Sequence, residues 1–325
     1  MEYNKFYSEN KPIQLGLCCL NIELRECCPT VFSSRSVILK TLLTKGVEHL
    51  QAKIIENLQD FLIMMDWNEA NGIKVFRLSS ELFPHISNPK APKYNFDFAK
   101  DLLKKIGEKS KLYNQRLTFH PGHFNCLGSP NKNVIDNTIN DLDYHANVLE
   151  LMELGEDSVM VIHGGGIYGD KEKTIERWCD NYNKLPIHIK KRLVLENCER
   201  NFSIEDCLKV SEKVNIPVVF DTHHYDCYNI IHPYEIFDIP SNYIPKILET
   251  WKKRNIKPKF HVSEQGKGKC GHHSDYIEKL PEYLLEIPDK YNIHIDIMIE
   301  AKMKEKAIFK LYDKYPYLSC IKNVL

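Results

Sequence analysis

Short apolar, β-branched runs alternate along this chain with longer stretches in which apolar residues return every three or four positions. The first kind predicts parallel strands buried on both faces, and the second predicts amphipathic helices packed through one face. Strand signals fall at residues 13–18, 73–78, 115–119, 159–162, 193–195, 218–220, 259–262 and 294–299. Between the first two, Val47, Leu50, Ile54, Leu58, Phe61, Leu62 and Met65 predict a helix over 46–71, stopped by Asn71-Gly72. Further helical patterns cover 97–113, 135–155, the surroundings of Trp178, 240–254 and 277–285, and Ser203-Ile204-Glu205-Asp206 reads as a capping box opening another. Long irregular loops follow the first strand (19–45) and the second (79–89). No compositional break interrupts the alternation. The expectation is one α/β domain over 1–325, a single (β/α)8 TIM barrel, with 1–11 as a loose extension.

The strand signals share an ending. Leu117-Thr118-Phe119 leads to His120, residues 159–162 to His163, Leu193-Val194-Leu195 to Glu196, Val218-Val219-Phe220 to Asp221 with His224 close behind, Lys259-Phe260 to His261, and residues 295–299 to Glu300. A parallel barrel gathers its C-terminal strand ends on one face, so these residues meet at one mouth. Core packing gives no reason to end strand after strand with ligand types. Imidazoles and carboxylates together make a mixed N/O site for Zn²⁺ or Mn²⁺, with more than one ion, and cations remove the repulsion that paired carboxylates would otherwise suffer. His145 lies on a helix pattern and reads as a packed side chain.

Composition narrows the field. With 43% apolar residues in 325, the chain can fill a large core, and no run approaches about 18 apolar residues, so no membrane span is expected. Residues 1–11 are polar and mixed in charge, which predicts a soluble intracellular protein. Eleven cysteines without a C-x-x-C pair read as reduced thiols rather than a zinc knuckle or disulfide framework. Lys and Arg (44) balance Asp and Glu (44), so bulk charge does not announce a nucleic-acid binder. Gly164-Gly165-Gly166 lacks the Walker lysine and the dinucleotide spacing. The turn His120-Pro121-Gly122-His123-Phe124-Asn125 presents an extra imidazole and an aromatic ring. Arg35, Lys267 and Lys269 are loop cations within reach of a phosphate-binding role.

Phe76-Arg77-Leu78-Ser79-Ser80 with Leu82-Phe83-Pro84, the block 117–122, His163-Gly164-Gly165, Leu195-Glu196-Asn197, residues 219–224, 258–261, His273-Ser274-Asp275-Tyr276 and 299–305 stand together in one order. In that set the chain resembles the ultraviolet damage endonucleases, metal-dependent TIM-barrel enzymes of DNA repair. The resemblance implies about three divalent ions, Mn²⁺ foremost with Zn²⁺ or Mg²⁺ as alternatives. It implies as their ligands His120, His163, Glu196, Asp221, His224, His261, His273 and Glu300, with His273 preferred over His272. It implies Glu196, Asp221 and Lys259 as catalytic residues, Lys259 matching a lysine that the family can carry carboxylated. His123 and Phe124 stand where many members have Gln-Tyr inserted into the duplex, Leu17 where a lesion-pocket tyrosine is common, Asn88 where some have a histidine, and Asn21 matches a family asparagine. The implied activity is nicking of duplex DNA immediately 5′ of ultraviolet photoproducts, by a monomer without an obligate protein partner. Alternatives are an abasic-site endonuclease of the endonuclease IV type and a metal-dependent sugar isomerase or epimerase on the same barrel.

Overall fold

The structure, a computed structural model, describes residues 11–320, so the extension expected at 1–11 lies, apart from Lys11, outside the described residues. Strands β1 (Ile13–Cys18), β2 (Val75–Arg77), β3 (Arg116–Thr118), β4 (Met160–His163), β5 (Leu193–Glu196), β6 (Val218–Val219), β7 (Lys259–Val262) and β8 (Ile295–Ile299) are all parallel to their neighbours. Around them run α1 (Ile22–Glu26), α2 (Leu39–Lys45), α3 (Val47–Ala70), α4 (Lys100–Tyr113), α5 (Lys132–Leu151), α6 (Lys171–Lys184), α7 (Ile187–Lys190), α8 (Ile204–Val214), α9 (Thr222–Ile231), α10 (Pro240–Lys252), α11 (Glu282–Leu285), α12 (Ile287–Tyr291) and α13 (Lys304–Lys314).

Five strands form one sheet in the order β3-β2-β1-β8-β7, and β4-β5-β6 form another. Isolated parallel bridges, Phe119 to Met160 and Asp221 to His261, join the two at both seams. At the second seam the His261 amide donates to the Phe220 carbonyl at 3.0 Å. The eight strands therefore run in order round a (β/α)8 TIM barrel.

Strand alternation divides the residues between two environments. Ile13, Leu15 and Leu17 of β1, Phe76 of β2, Leu117 of β3, Phe260 and Val262 of β7, and Ile295, Ile297 and Ile299 of β8 belong to the large apolar core shared with the helices. The alternate positions face inward, where Cys18, Val75 and Met298 make a small separate cluster. Below it, Asp296 binds Arg116 at 2.7 Å and Lys257 at 2.5 Å, a buried ion cluster near the N-terminal strand ends. The inward positions at the opposite end belong to the mouth.

Local departures from the expected elements have plain causes. The loop expected at 19–45 contains α1, N-capped by Asn21, whose Oδ1 accepts from the Leu24 amide at 2.8 Å, and it also contains α2. The helix expected at 277–285 begins only at Glu282, because Pro281 disfavours helical geometry at Leu280 and suits a helix start. The capping box at Ser203 and Asp206 is present. The chain after β6 turns directly into α9, so His223 and His224 sit on a helix's first turn. No helix among the described residues is long and apolar enough to cross a membrane, and the cysteines stand as free thiols.

Candidate metal centre

Each candidate side chain is fixed by the way its strand ends. Asp221 N-caps α9, its Oδ1 accepting the His224 amide at 2.8 Å, so cap and ligand candidates share one turn. Asn197, immediately after β5, clamps that turn: its Oδ1 accepts from the Asp221 amide at 2.9 Å and its Nδ2 donates to the Asp221 carbonyl at 3.0 Å. His163 and Glu196 are direct register partners across β4 and β5.

Glu196 is the hub. Its Oε2 lies 2.8 Å from His120 Nε2 and 3.5 Å from His163 Nε2, and its Oε1 lies 2.7 Å from His261 Nδ1 and 3.8 Å from His224 Nδ1. His261 Nε2 meets Lys259 Nζ at 3.0 Å. An ammonium only donates, so a charged Lys259 sets the neutral His261 tautomer with its proton on Nδ1, aimed at Glu196. Glu300 Oε1 pairs with Arg77 Nη1 at 2.5 Å and lies 3.3 Å from His261 Nδ1, while its Oε2 lies 3.9 Å from His273 Nδ1.

Burial drives the ionisation of these groups. It pushes the Asp221 carboxyl up to about 7, helped by Glu196 and Glu300 and opposed by His224. It pulls His224 down, but Asp221, Glu196 and Glu300 outweigh it and hold the imidazole at about 9. Burial lowers His261 to about 4, and, with Arg77, lowers Lys259 to about 8. Burial pushes Glu300 up, yet Arg77 and His261 hold it well below the usual carboxylate range.

The donor set fits divalent cations. Ligand atoms of His120, His163 and Glu196 all lie within 4.8 Å of one another, and so do those of Glu196, Asp221 and His224, two sets sharing one carboxylate. Asp221 Oδ2 is buried without a hydrogen-bond partner, and a buried acceptor without a donor is costly unless a cation takes its place. His261 lies 2.7 Å from Glu196 and 3.3 Å from Glu300, and Glu300 in turn faces His273, so the remaining three expected ligands adjoin the two sets. His273 turns toward Glu300 while His272 is exposed.

A cavity of about 410 Å³ opens over the cluster, lined among others by Arg77, His120, His123, Glu199, His273 and Glu300. His123 stacks on His163 with ring centroids 4.6 Å apart and planes 12° from parallel. Phe124 beside it is 61% exposed. Gly122 makes room for that ring, since a Cβ there would lie 2.8 Å from it.

Other expected contacts look elsewhere. Arg35 is spent inside the protein: its guanidinium pairs with Asp60 at 2.6 Å and Glu56 at 3.2 Å and lies over Phe32, pinning the 30–35 loop to α3. Asn21 is buried as the cap of α1. Leu17 packs in the apolar core outside the barrel rather than toward the mouth. Asn88 meets His85 Nδ1 at 3.2 Å and caps the Lys90 amide at 3.0 Å. Lys267 and Lys269 are exposed in the loop after β7.

Two residues of the cluster escape a reading confined to ligand types. Arg77 ends β2 as the histidines end their strands, so its position carried the signal while its residue type did not. Asn197 directly follows Glu196, and only the β5–β6 neighbourhood reveals its grip on Asp221.

The family profile described as UV-endonuclease UvdE matches residues 13–325. The chain belongs to the UvdE family. A relative from Acanthamoeba polyphaga mimivirus is 42% identical over 308 residues, covering 93% of this chain and 91% of its own length. The UV DNA damage endonuclease of Bacillus cereus (strain B4264) is 33% identical over 317 residues, covering 96% of this chain and 97% of its own. Among solved structures, SacUVDE superposes with a TM-score of 0.80 at 29% identity, over 94% of this chain and all (100%) of its own. Endonuclease IV from Thermus thermophilus, at 14% identity and TM-score 0.54 over 94% of this chain and 98% of its own, shares the fold.

Proposed function

We infer that this UvdE-family chain is a DNA repair endonuclease that nicks duplex DNA immediately 5′ of ultraviolet photoproducts, hydrolysing one phosphodiester to a 3′-hydroxyl and a 5′-phosphate. The observation that carries the reading is the pair of ligand sets joined through Glu196 beneath an open mouth with an aromatic ring at its rim. Family membership supports the substrate class. Bound divalent ions, about three and Mn²⁺ foremost with Zn²⁺ and Mg²⁺ as alternatives, supply a water acidic enough to ionise near neutrality and positive charge against the phosphate.

The protein's own residues do the rest. His120, His163, Glu196, Asp221, His224, His261, His273 and Glu300 hold the ions. Glu196 serves both sets, and Asp221, its Oδ1 engaged by the cap, offers Oδ2. Lys259 governs which nitrogen of His261 is free: as an ammonium it keeps the imidazole proton on Nδ1, toward Glu196, whereas as a neutral amine it accepts from Nε2–H and leaves Nδ1 open to an ion. Its lowered amine pKa of about 8 also favours the neutral form that carboxylation requires. Phe124 wedges into the damaged step, whose stacking is already weakened, and His123 stacks and hydrogen-bonds beside it. The substrate is damaged double-stranded DNA, and the chain works as a monomer without an obligate protein partner.

A nicking assay with added Mn²⁺, on matched duplexes carrying one pyrimidine dimer, one abasic site or no lesion, tests this. Cutting 5′ of the dimer is the expected result. Cutting at the abasic site alone would replace the reading with an endonuclease IV-like activity, and no cutting by the metal-loaded protein would turn attention to sugar substrates.

A further inference from the structure

We propose that Arg77 is a positioning residue that gives the two oxygens of Glu300 different tasks, clamping Oε1 and leaving Oε2, beside His273, as the ligand atom. This rests on the metal-centre reading and deepens it.

The backbone of Arg77 is held by register with Cys18 and by the Cys19 amide donating to its carbonyl at 3.0 Å. Alternation with Phe76, which faces the outer core, turns the Arg77 side chain inward, where it is 16% exposed. Its Nη1 meets Glu300 Oε1 at 2.5 Å, and His261 Nδ1 lies 3.3 Å from the same oxygen. The guanidinium therefore holds that oxygen.

Oε2 is different. It faces His273 Nδ1 across 3.9 Å, too far for a hydrogen bond. An N/O pair bound to one cation at about 2.1 Å each stands roughly 3–4 Å apart, so the gap has the span of a shared ion. The backbone cannot choose between the oxygens, because rotation about the last side-chain bond exchanges them. Arg77 can choose. Arg77 reaches Oε1 through Nη1 alone, from a planar group whose direction is set by its own buried side chain, whereas an ammonium is a point charge on a flexible stem. Arg77 also offsets negative charge in a mouth holding Glu196, Asp221 and Glu300.

The test compares wild type, R77M, R77K, H273A and E300Q, each loaded with Mn²⁺. Equilibrium dialysis with metal analysis gives ions per chain, Mn²⁺-dependent thermal shifts report affinity, and nicking of a dimer duplex gives kcat and KM. R77M is expected to bind its weakest ion about 10–100-fold less tightly, the range for losing a group that orients a ligand. H273A and E300Q should lose the same ion, R77M/H273A should bind no less than the worse single variant, and R77K should recover only part. The nicking loss should lie in kcat at limiting Mn²⁺ and shrink as Mn²⁺ rises. Wild-type stoichiometry and affinity in R77M, with only the metal-free melting temperature lowered, would overturn the proposal and leave the nuclease reading standing. A wild-type chain that binds no Mn²⁺ would overturn both.

Discussion

Replacing Glu196 by glutamine separates a charge from a shape. In the metal-free protein the carboxylate is fully buried and hydrogen-bonded through both oxygens, to His261 Nδ1 at 2.7 Å and His120 Nε2 at 2.8 Å. Glutamine keeps the first bond through its carbonyl. Its amide then donates to His120 Nε2, provided His120 moves its proton to Nδ1, where the Pro121 carbonyl waits at 3.3 Å. Every polar atom of the pair keeps a partner, but the carboxylate charge that the surrounding imidazoles favour, and that helps hold His224 protonated, is lost, so the metal-free protein should lose about 1–3 kcal/mol and still fold. Metal binding should respond quite differently. Glu196 belongs to both ligand sets, and losing even a group that orients a ligand costs about 10–100-fold, so altering the shared ligand should cost at least roughly 10²–10⁴-fold in nicking at limiting Mn²⁺. At an Mn²⁺ concentration 100 times the wild-type Kd, ligand stabilisation amounts to about 2.7 kcal/mol, nearly all of which a 100-fold weaker site forfeits. Melting curves with and without Mn²⁺, beside initial nicking rates on a dimer duplex, measure both. A Glu196→Gln protein that keeps the wild-type Mn²⁺ shift and nicks within tenfold of wild type would refute the reasoning, as would one whose metal-free form no longer folds.

Other perturbations probe separate parts of the argument. Asp296→Asn leaves Arg116 and Lys257, with side chains 5% and 12% exposed, facing a neutral amide; urea unfolding should show a loss of about 3–5 kcal/mol, and a loss below about 1 kcal/mol would mean that the cluster is not held by charge. Phe124→Ala, at a largely exposed site, should leave stability intact and weaken binding to a dimer duplex by about 1–3 kcal/mol, the worth of one aromatic–base stack, while affinity for undamaged duplex stays level. Equal losses on both duplexes would count against a wedge. Mn²⁺ affinity should rise with pH: the His224 imidazole, held at about 9 despite burial, keeps a proton below that pH that an ion must displace, and Asp221, at about 7, adds a second in more acid solution. Calorimetric titration should therefore show up to about tenfold weaker binding per unit of pH fall for each proton displaced, and a flat profile from pH 6 to 9 would exclude these two residues as ligands.

Much of the barrel is written locally. β-branched runs of a few residues, separated by helical periodicity, leave few ways to bury both faces of every strand, so the eight strands appear where the pattern puts them. The departures trace to single residues acting against a periodic background: Pro281 shortens the helix after β7, and Asn21 starts a turn of helix inside a loop. The site was legible for a related reason. A strand delivers the residues at or just past its C-terminal end to the mouth, so His120, His163, Glu196, Asp221, His261 and Glu300 could be picked out by position without any knowledge of their neighbours. His273 stands on a loop, and only the family resemblance pointed to it.

What the sequence determined by itself was therefore the set of groups brought to one end of the barrel. The tertiary structure decided their pairing: Lys259 beneath His261, Arg77 on one oxygen of Glu300, Asn197 gripping Asp221, and Arg35 drawn away from the surface by Asp60 and Glu56. Periodicity records which face of an element is buried, because burial depends on one residue and its own strand or helix. A hydrogen bond or ion pair depends on the distance between residues tens or hundreds of positions apart. That distance exists only once the strands have closed round on one another.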